Sequence, residues 1–251
     1  MSTESQPESK VRSKVSTTAL FMIVALIPFA LFALQSRADL FSQPPNMEQV
    51  VTSVSRATFE IKCDTDWVGA GWGLLLDDDY YLVTAAHVVE DCQNGEFIAA
   101  RSQTTSIFKL ELAGYLDNYW STDYGTTDLA LLKSSQRIPT LRFQSEKVRV
   151  GQWVLAAGFP LEEVSGPLLN LNEGRITGFD FNDHIVTDAA INGGMSGGPL
   201  INARGEVLGS VYAGEPVDEF ENLGYVQPIM EHCELVIRCE NRQPKYVRFE
   251  F

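Results

Sequence analysis

At 251 residues, 45% hydrophobic and 21% charged, the chain has the composition of a globular protein with a core to bury. Its formal charge of −14 acts at long range against nucleic acid and against anionic lipid, so no nucleic-acid partner is expected. With three histidines in all and no C-x-x-C pair among four cysteines, no metal site and no cofactor are expected either.

The amino end differs in kind from the rest. Lys10, Arg12 and Lys14 precede an uncharged apolar stretch from Ala19 to Leu34, after which Gln35, Ser36 and Arg37 restore polarity. A helix over that stretch spans roughly 24 Å, short of the roughly 30 Å hydrocarbon layer unless Thr17 and Thr18 are included. Two fates stay open. The small-x-small pattern Ser36-Arg37-Ala38 permits signal cleavage before Asp39, and the long basic region suits a retained anchor. In both, the positive flank keeps the amino end inside and delivers everything after about residue 40 outside, to a membrane-anchored, secreted or periplasmic location.

From about residue 48 the text is strand-like. Runs such as Thr58 to Lys62, Gly71 to Leu76, Tyr80 to Thr84, Leu129 to Lys133, Trp153 to Ala157, Gly174 to Gly178, Ile185 to Thr187 and Val207 to Tyr212 are separated by Gly, Asp and Asn clusters. Asp77, Asp78 and Asp79 read as a solvated turn. A strand near Leu223 to Val226 leads to one predicted helix, Pro228 to Cys239, and the tail from Asn241 to Phe251 reads as a frayed end that could dock on a sheet edge. The class is all-β, as a sandwich or barrels. On the outer side of a membrane Cys63, Cys92, Cys233 and Cys239 are expected to pair. Of three connectivities, Cys63 with Cys92 and Cys233 with Cys239 is the one expected, against free buried thiols as the alternative.

Serine hydrolysis of an amide needs a hydroxyl, an imidazole to move its proton, and a carboxylate to hold the imidazole in one tautomer. His87 ends the run Leu82-Val83-Thr84-Ala85-Ala86, whose small residues leave space at the ring. Ser196 sits in Asn192-Gly193-Gly194-Met195-Ser196-Gly197-Gly198-Pro199, where glycines allow a tight turn that aims the amides of Gly194 and Ser196 at one oxyanion. Taken singly, a histidine in apolar text is a packed core residue and a glycine-rich turn only a turn.

Together, Thr84-Ala85-Ala86-His87, Asp128-Leu129-Ala130-Leu131-Leu132 and Gly194-Met195-Ser196-Gly197-Gly198-Pro199 resemble, in the same chain order, the three signatures of the chymotrypsin-like serine peptidases. Val150-Gly151-Gln152-Trp153-Val154, Gly158-Phe159-Pro160 and Thr187-Asp188-Ala189-Ala190-Ile191-Asn192 resemble the bacterial HtrA/Deg-type branch. The resemblance covers about residues 50 to 230. It implies two six-stranded antiparallel β-barrels and a serine endopeptidase acting on proteins or peptides. It also implies His87 as general base, Asp128 as its orienting partner ahead of Asp117 and Asp123, and Ser196 as nucleophile. The expected division is a basic segment with signal or anchor helix over 1–40, a first barrel with His and Asp over 48–140, a second barrel with the serine and terminal helix over 141–240, and a tail over 241–251. By the family pattern Ala190 forms the pocket floor, with Ser210, Val211 and Tyr212 as a wall strand that binds substrate backbone. No charge lies there, so small or medium apolar side chains are expected at the cleaved position.

Two departures stand out. Met195 occupies the place of an aspartate in animal trypsins and usually an asparagine in the HtrA type, which excludes an activating ion pair from a new amino terminus to that position. No PDZ module is expected after the peptidase region, because about twenty residues remain beyond the strand near Tyr225. Two rivals carry other functions. An α/β-hydrolase esterase would use the same G-x-S-x-G with Asp218 and His232, but needs alternating strands and helices. A membrane-tethered binding module or pseudoprotease would keep the fold and cleave nothing.

Overall fold

The computed structural model describes residues 42–44, 46–63, 66–90, 92, 97–100, 107–117, 128–160, 168–212, 223–229, 237–240 and 243–247. The signal or anchor helix expected within 1–40 lies outside the described residues. Among those described, no helix is long and apolar enough to cross a membrane.

The first element is a helix that the strand-like reading of this region missed, α1 (Met47–Ala57). Asn46 caps it by accepting from the Gln49 amide at 3.2 Å, and Val50, Val54 and Ala57 recur on one buried face. Both signals stand in the sequence, but they are brief beside the strand runs that follow.

Strands β1 (Thr58–Cys63), β2 (Asp66–Leu76), β3 (Asp79–Thr84), β4 (Phe97–Ala100), β5 (Ile107–Asp117) and β6 (Asp128–Ser134) close into a barrel in the order β1-β2-β3-β6-β5-β4. Every pairing in it is antiparallel. The β2–β3 hairpin turns on Asp77 and Asp78, both at positive φ (47° and 69°), as a two-residue turn of that handedness requires and aspartate tolerates. After one helical turn, α2 (His87–Glu90), and a short β7 (Arg142–Phe143), a second set follows: β8 (Trp153–Gly158), β9 (Asn170–Phe179), β10 (Ile185–Thr187), β11 (Pro199–Ile201), β12 (Glu206–Tyr212) and β13 (Gly224–Pro228). Its order is β11-β8-β9-β10-β13-β12, and pairing of β11 with β12 closes the second antiparallel six-stranded barrel. β7 adds to β12 in parallel at Glu206 and Val207. The parallel sheet of an α/β-hydrolase is absent among the described residues.

Three apolar clusters explain why these strands read as unbroken hydrophobic runs rather than alternating ones. Phe59, Ile61, Leu82 and Leu132 fill the first barrel, and Val154, Ala156, Leu200 and Val226 fill the second. The opposite faces of the same strands, Trp72, Leu74, Val83, Leu129, Leu131, Trp153 and Leu155, pack between the barrels together with α1. Strands buried on both sides lose the polar half of their pattern. Trp72 is fully buried at this seam, edge-on to Phe143 with ring centroids 5.6 Å apart, and its Nε1–H donates to Ser210 Oγ at 3.0 Å.

The carboxyl end departs from the helix expected over Pro228 to Cys239. Residues 230–236 lie outside the described residues, but Ile237–Glu240 forms β14, paired antiparallel with β15 (Gln243–Val247). The Tyr246-Val247 alternation thus builds a ribbon with its own neighbour, where a frayed end was expected. The pairing of Cys233 with Cys239 lies outside the described residues.

Cys63 and Cys92 form a disulfide, with Cα atoms 5.5 Å apart. It staples the end of β1 to Cys92, two residues beyond α2, the turn that His87 opens. A closed loop of 29 residues is worth about 3–4 kcal/mol in the chain-entropy model. The paired replacement Cys63→Ser with Cys92→Ser is therefore expected to lose about that much stability in urea titration under oxidising conditions, and an unchanged midpoint would count against the staple.

Glu60 faces away from the first barrel's interior and is buried, which pushes its carboxyl up to about 7. A raised folded pKa means that the native state holds a proton that the unfolded chain releases near 4.5. The contribution is complete below about pH 4.5 and is lost as pH rises through about 7. Glu60→Gln is expected to flatten this slope and to stabilise the chain at pH 8 by about 1 kcal/mol, leaving pH 4 stability near wild type. Parallel wild-type and variant slopes between pH 4.5 and 7 would contradict it.

Candidate active site

Of the three signature residues, His87 opens α2 just beyond β3, Asp128 heads β6, and Ser196 lies in the turn before β11. β3 pairs with β6 so that Thr84 stands opposite Ala130, which sets Asp128, at the head of β6, beside the chain as it leaves β3 for His87. Ala85 and Ala86 are fully buried, and the amides of Val89 and Glu90 both return to the Ala86 carbonyl at 3.0 Å, forming the turn on which the imidazole stands. Asp128 is 6% exposed, and its carboxylate grips His87 twice. Oδ1 accepts from the His87 backbone N–H at 2.9 Å, and Oδ2 lies 2.6 Å from Nδ1. A carboxylate at Nδ1 favours the tautomer with the proton on that nitrogen and the lone pair on Nε2. The ring itself is exposed, with 45% of its side-chain surface accessible.

The serine turn is built by the second barrel and docked on the first. Gly197 N–H donates to the Val211 carbonyl at 2.6 Å and Val211 N–H to the Gly198 carbonyl at 2.8 Å, so β12 holds the turn from beneath. The Ser196 carbonyl accepts from the Ala70 amide of β2 at 2.8 Å. At Gly197, where φ is +82°, a Cβ would overlap the Ala70 carbonyl, Thr84 Oγ1 and the Ala85 nitrogen. The serine turn therefore rests on the very end of β3 that runs into His87. Gly194 also has positive φ, +90°, and the Met195 and Gly198 amides are taken by the Asn192 and Met195 carbonyls at 3.1 and 3.0 Å. These bonds fold the backbone around Gly194 and Ser196, the two residues expected to supply the oxyanion amides.

Met195 is fully buried in the second barrel's cluster, its side chain against Gly158, where a Cβ would crowd it. Asn172 Nδ2 lies 3.7 Å from its sulfur and donates to the Ala190 carbonyl at 2.7 Å. An apolar anchor and one amide occupy the place where the sequence resemblance leads one to expect a polar side chain.

Of the expected pocket residues, Ser210 and Val211 are buried, whereas Ala190 is exposed. Ala190 lies just beyond β10, and the neighbouring Asp188 turns its carboxylate to the Arg175 amide at 2.6 Å. Ser210 Oγ is engaged with Trp72 at the seam, the Val211 side chain lies in the second core, and the Tyr212 hydroxyl is 2.6 Å from His184 Nδ1. His184 is buried, its Nδ1 3.0 Å from Asp180 Oδ2. Asp218, Asp123 and His232 lie outside the described residues. One residue that the sequence reading passed over belongs to the site. The Gln227 side chain accepts from the Asp128 amide at 2.8 Å, and its only signal was to be the one polar residue between the apolar Val226 and Pro228.

A family model described as a trypsin-like peptidase domain matches residues 71–209. The chain belongs to that family. A probable periplasmic serine endoprotease, DegP-like, from Pseudomonas putida is 37% identical to this trypsin-like peptidase over 144 residues, 55% of this chain and 28% of that protein. A protein of the same description from Chlamydia trachomatis is 34% identical over 145 residues, 55% of this chain and 27% of the relative. The chain thus spans little more than a quarter of those relatives' length. The crystal structure of the serine endoprotease from Yersinia pestis superposes with a TM-score of 0.59 at 27% identity, covering 74% of this chain and 64% of that one.

Proposed function

We propose that this trypsin-like peptidase is a serine endopeptidase that acts outside the cytoplasm, through Ser196 as nucleophile, His87 as base and then acid, and Asp128 as the orienting carboxylate. The observation that carries the reading is the doubly bonded Asp128–His87 pair, next to a glycine-framed serine turn seated on the strand end that leads into that histidine. In the reaction Ser196 Oγ attacks the scissile carbonyl while Nε2 takes its proton. The amides of Gly194 and Ser196 hold the oxyanion, and the protonated imidazole then delivers its proton to the leaving amine. Water repeats the sequence on the acyl-enzyme and regenerates the serine. In this reading residues 1–40 export the chain and stay as an anchor or are removed, 48–140 supply His and Asp, and 141–240 supply the serine and the pocket.

An uncharged floor at Ala190, with the Asp188 carboxylate turned to the backbone, supports small or medium apolar side chains at the cleaved position. A peptide library digested by the oxidised full chain tests this. Cuts after residues such as Ala, Val and Leu are expected. Strict cutting after Lys or Arg would overturn the pocket assignment, and no cutting by folded protein would overturn the enzyme.

A further inference from the structure

We propose that Gln227 is a positioning residue for the Asp128–His87 pair, acting from the opposite barrel; the proposal rests on the Ser-His-Asp reading above. Gln227 is a polar residue on β13, 1% exposed, whose Cα partner across the ladder in β12 is Ser210. These neighbours turn to the first barrel together. Ser210 meets Trp72 of β2, and Gln227 Oε1 accepts the Asp128 backbone N–H at 2.8 Å across a sequence separation of 99. A buried primary amide is costly unless it is hydrogen-bonded, so a glutamine placed here is committed to its partners.

The bond has a specific consequence. Asp128 is the first residue of β6, where it pairs with Asp117 of β5. Beyond that ladder, three bonds bear on its position: the amide to Gln227, Oδ1 to the His87 amide and Oδ2 to Nδ1. The last two fix the carboxylate relative to the histidine, and the first fixes both relative to the second barrel, which carries Ser196. A displacement of about 1 Å in such a constellation can cost on the order of 100-fold in rate. Glutamine also supplies an acceptor without charge. A glutamate could accept the same proton but would set a second carboxylate beside Asp128, favouring the protonated imidazole.

Gln227→Met keeps side-chain length and removes the acceptor, whereas Gln227→Glu keeps the acceptor and adds charge. Both are made in the full chain and compared with wild type for the rate of Ser196 labelling by a fluorophosphonate, for kcat and KM on one peptide, and for the pH dependence of kcat/KM. The expected result for Gln227→Met is a folded protein with kcat and labelling rate lowered about 10- to 100-fold and KM within about twofold. For Gln227→Glu, the acid limb of the pH profile is expected to move to higher pH by about half a unit or more, as a stabilised imidazolium requires. Wild-type labelling in folded Gln227→Met, or an unmoved profile in Gln227→Glu, overturns the proposal, and the second decides the matter if the first variant does not fold. Wild-type chain that is not labelled at Ser196 would instead overturn the triad reading itself, so the two failures are distinguishable.

Discussion

Replacing Ser196 by alanine is expected to lower kcat/KM for peptide cleavage by about 10⁴–10⁶-fold, the scale on which serine-protease triads fail when one member is removed. The hydroxyl is the group that forms the acyl bond in the proposed reaction, and the adjacent Met195 side chain is buried in the second barrel's cluster. His87→Ala is expected to fall by a similar factor, because without Nε2 the serine keeps its proton. The double variant should be little worse than either single one, since the two act as one unit. Asp128→Asn, which retains shape but supplies the wrong hydrogen-bonding partner to Nδ1, should cost about 10⁴-fold. Steady-state kinetics on a single peptide measure all four. Additive losses in the double variant would mean that the serine and the histidine do not share a proton.

Gly197→Ala is the second large effect, and it separates architecture from chemistry. The substitution adds a single methyl group and touches no reacting atom. It nevertheless forces an L side chain into φ +82°, at about 1–2 kcal/mol, and drives it into the Ala70 carbonyl, Thr84 Oγ1 and the Ala85 nitrogen. Overpacking against backbone adds about 1–3 kcal/mol. A total of about 2–5 kcal/mol is a large part of a domain's stability, so a marked drop in the urea midpoint is expected. In whatever fraction folds, labelling of Ser196 should slow by more than about tenfold, because the serine turn can no longer seat on the end of β3. A midpoint and labelling rate equal to wild type would mean that the contact between turn and first barrel is not the one described.

Much of this was legible in the chain before any coordinates. The strand runs around His87, Asp128 and Ser196 were readable because each is apolar on both faces, and the structure explains why: one face fills a barrel and the other the seam. The Asp77-Asp78-Asp79 turn was likewise recoverable from local chemistry, and the Cys63–Cys92 bond is the one favoured among three possible connectivities. What escaped was either short or non-local. α1 announces itself only by Asn46 and three spaced apolar residues, and β4 and β11 are too brief to show a period. The carboxyl-terminal helix was expected from an amphipathic run whose end is claimed by ribbon pairing with Gln243–Val247. Closure of the second barrel depends on β11 meeting β12 while also holding β8. Gln227 was invisible for the same reason: nothing near it in sequence calls for an acceptor, and the donor it serves belongs to the other barrel.

The most direct measurement is the reaction of the oxidised full chain with a fluorophosphonate, followed by mapping of the adduct by mass. A single adduct on Ser196 is predicted, lost in Ser196→Ala and reduced at least about 10³-fold in rate in His87→Ala. An adduct on another residue, or one on Ser196 that forms at the wild-type rate without His87, would contradict the account.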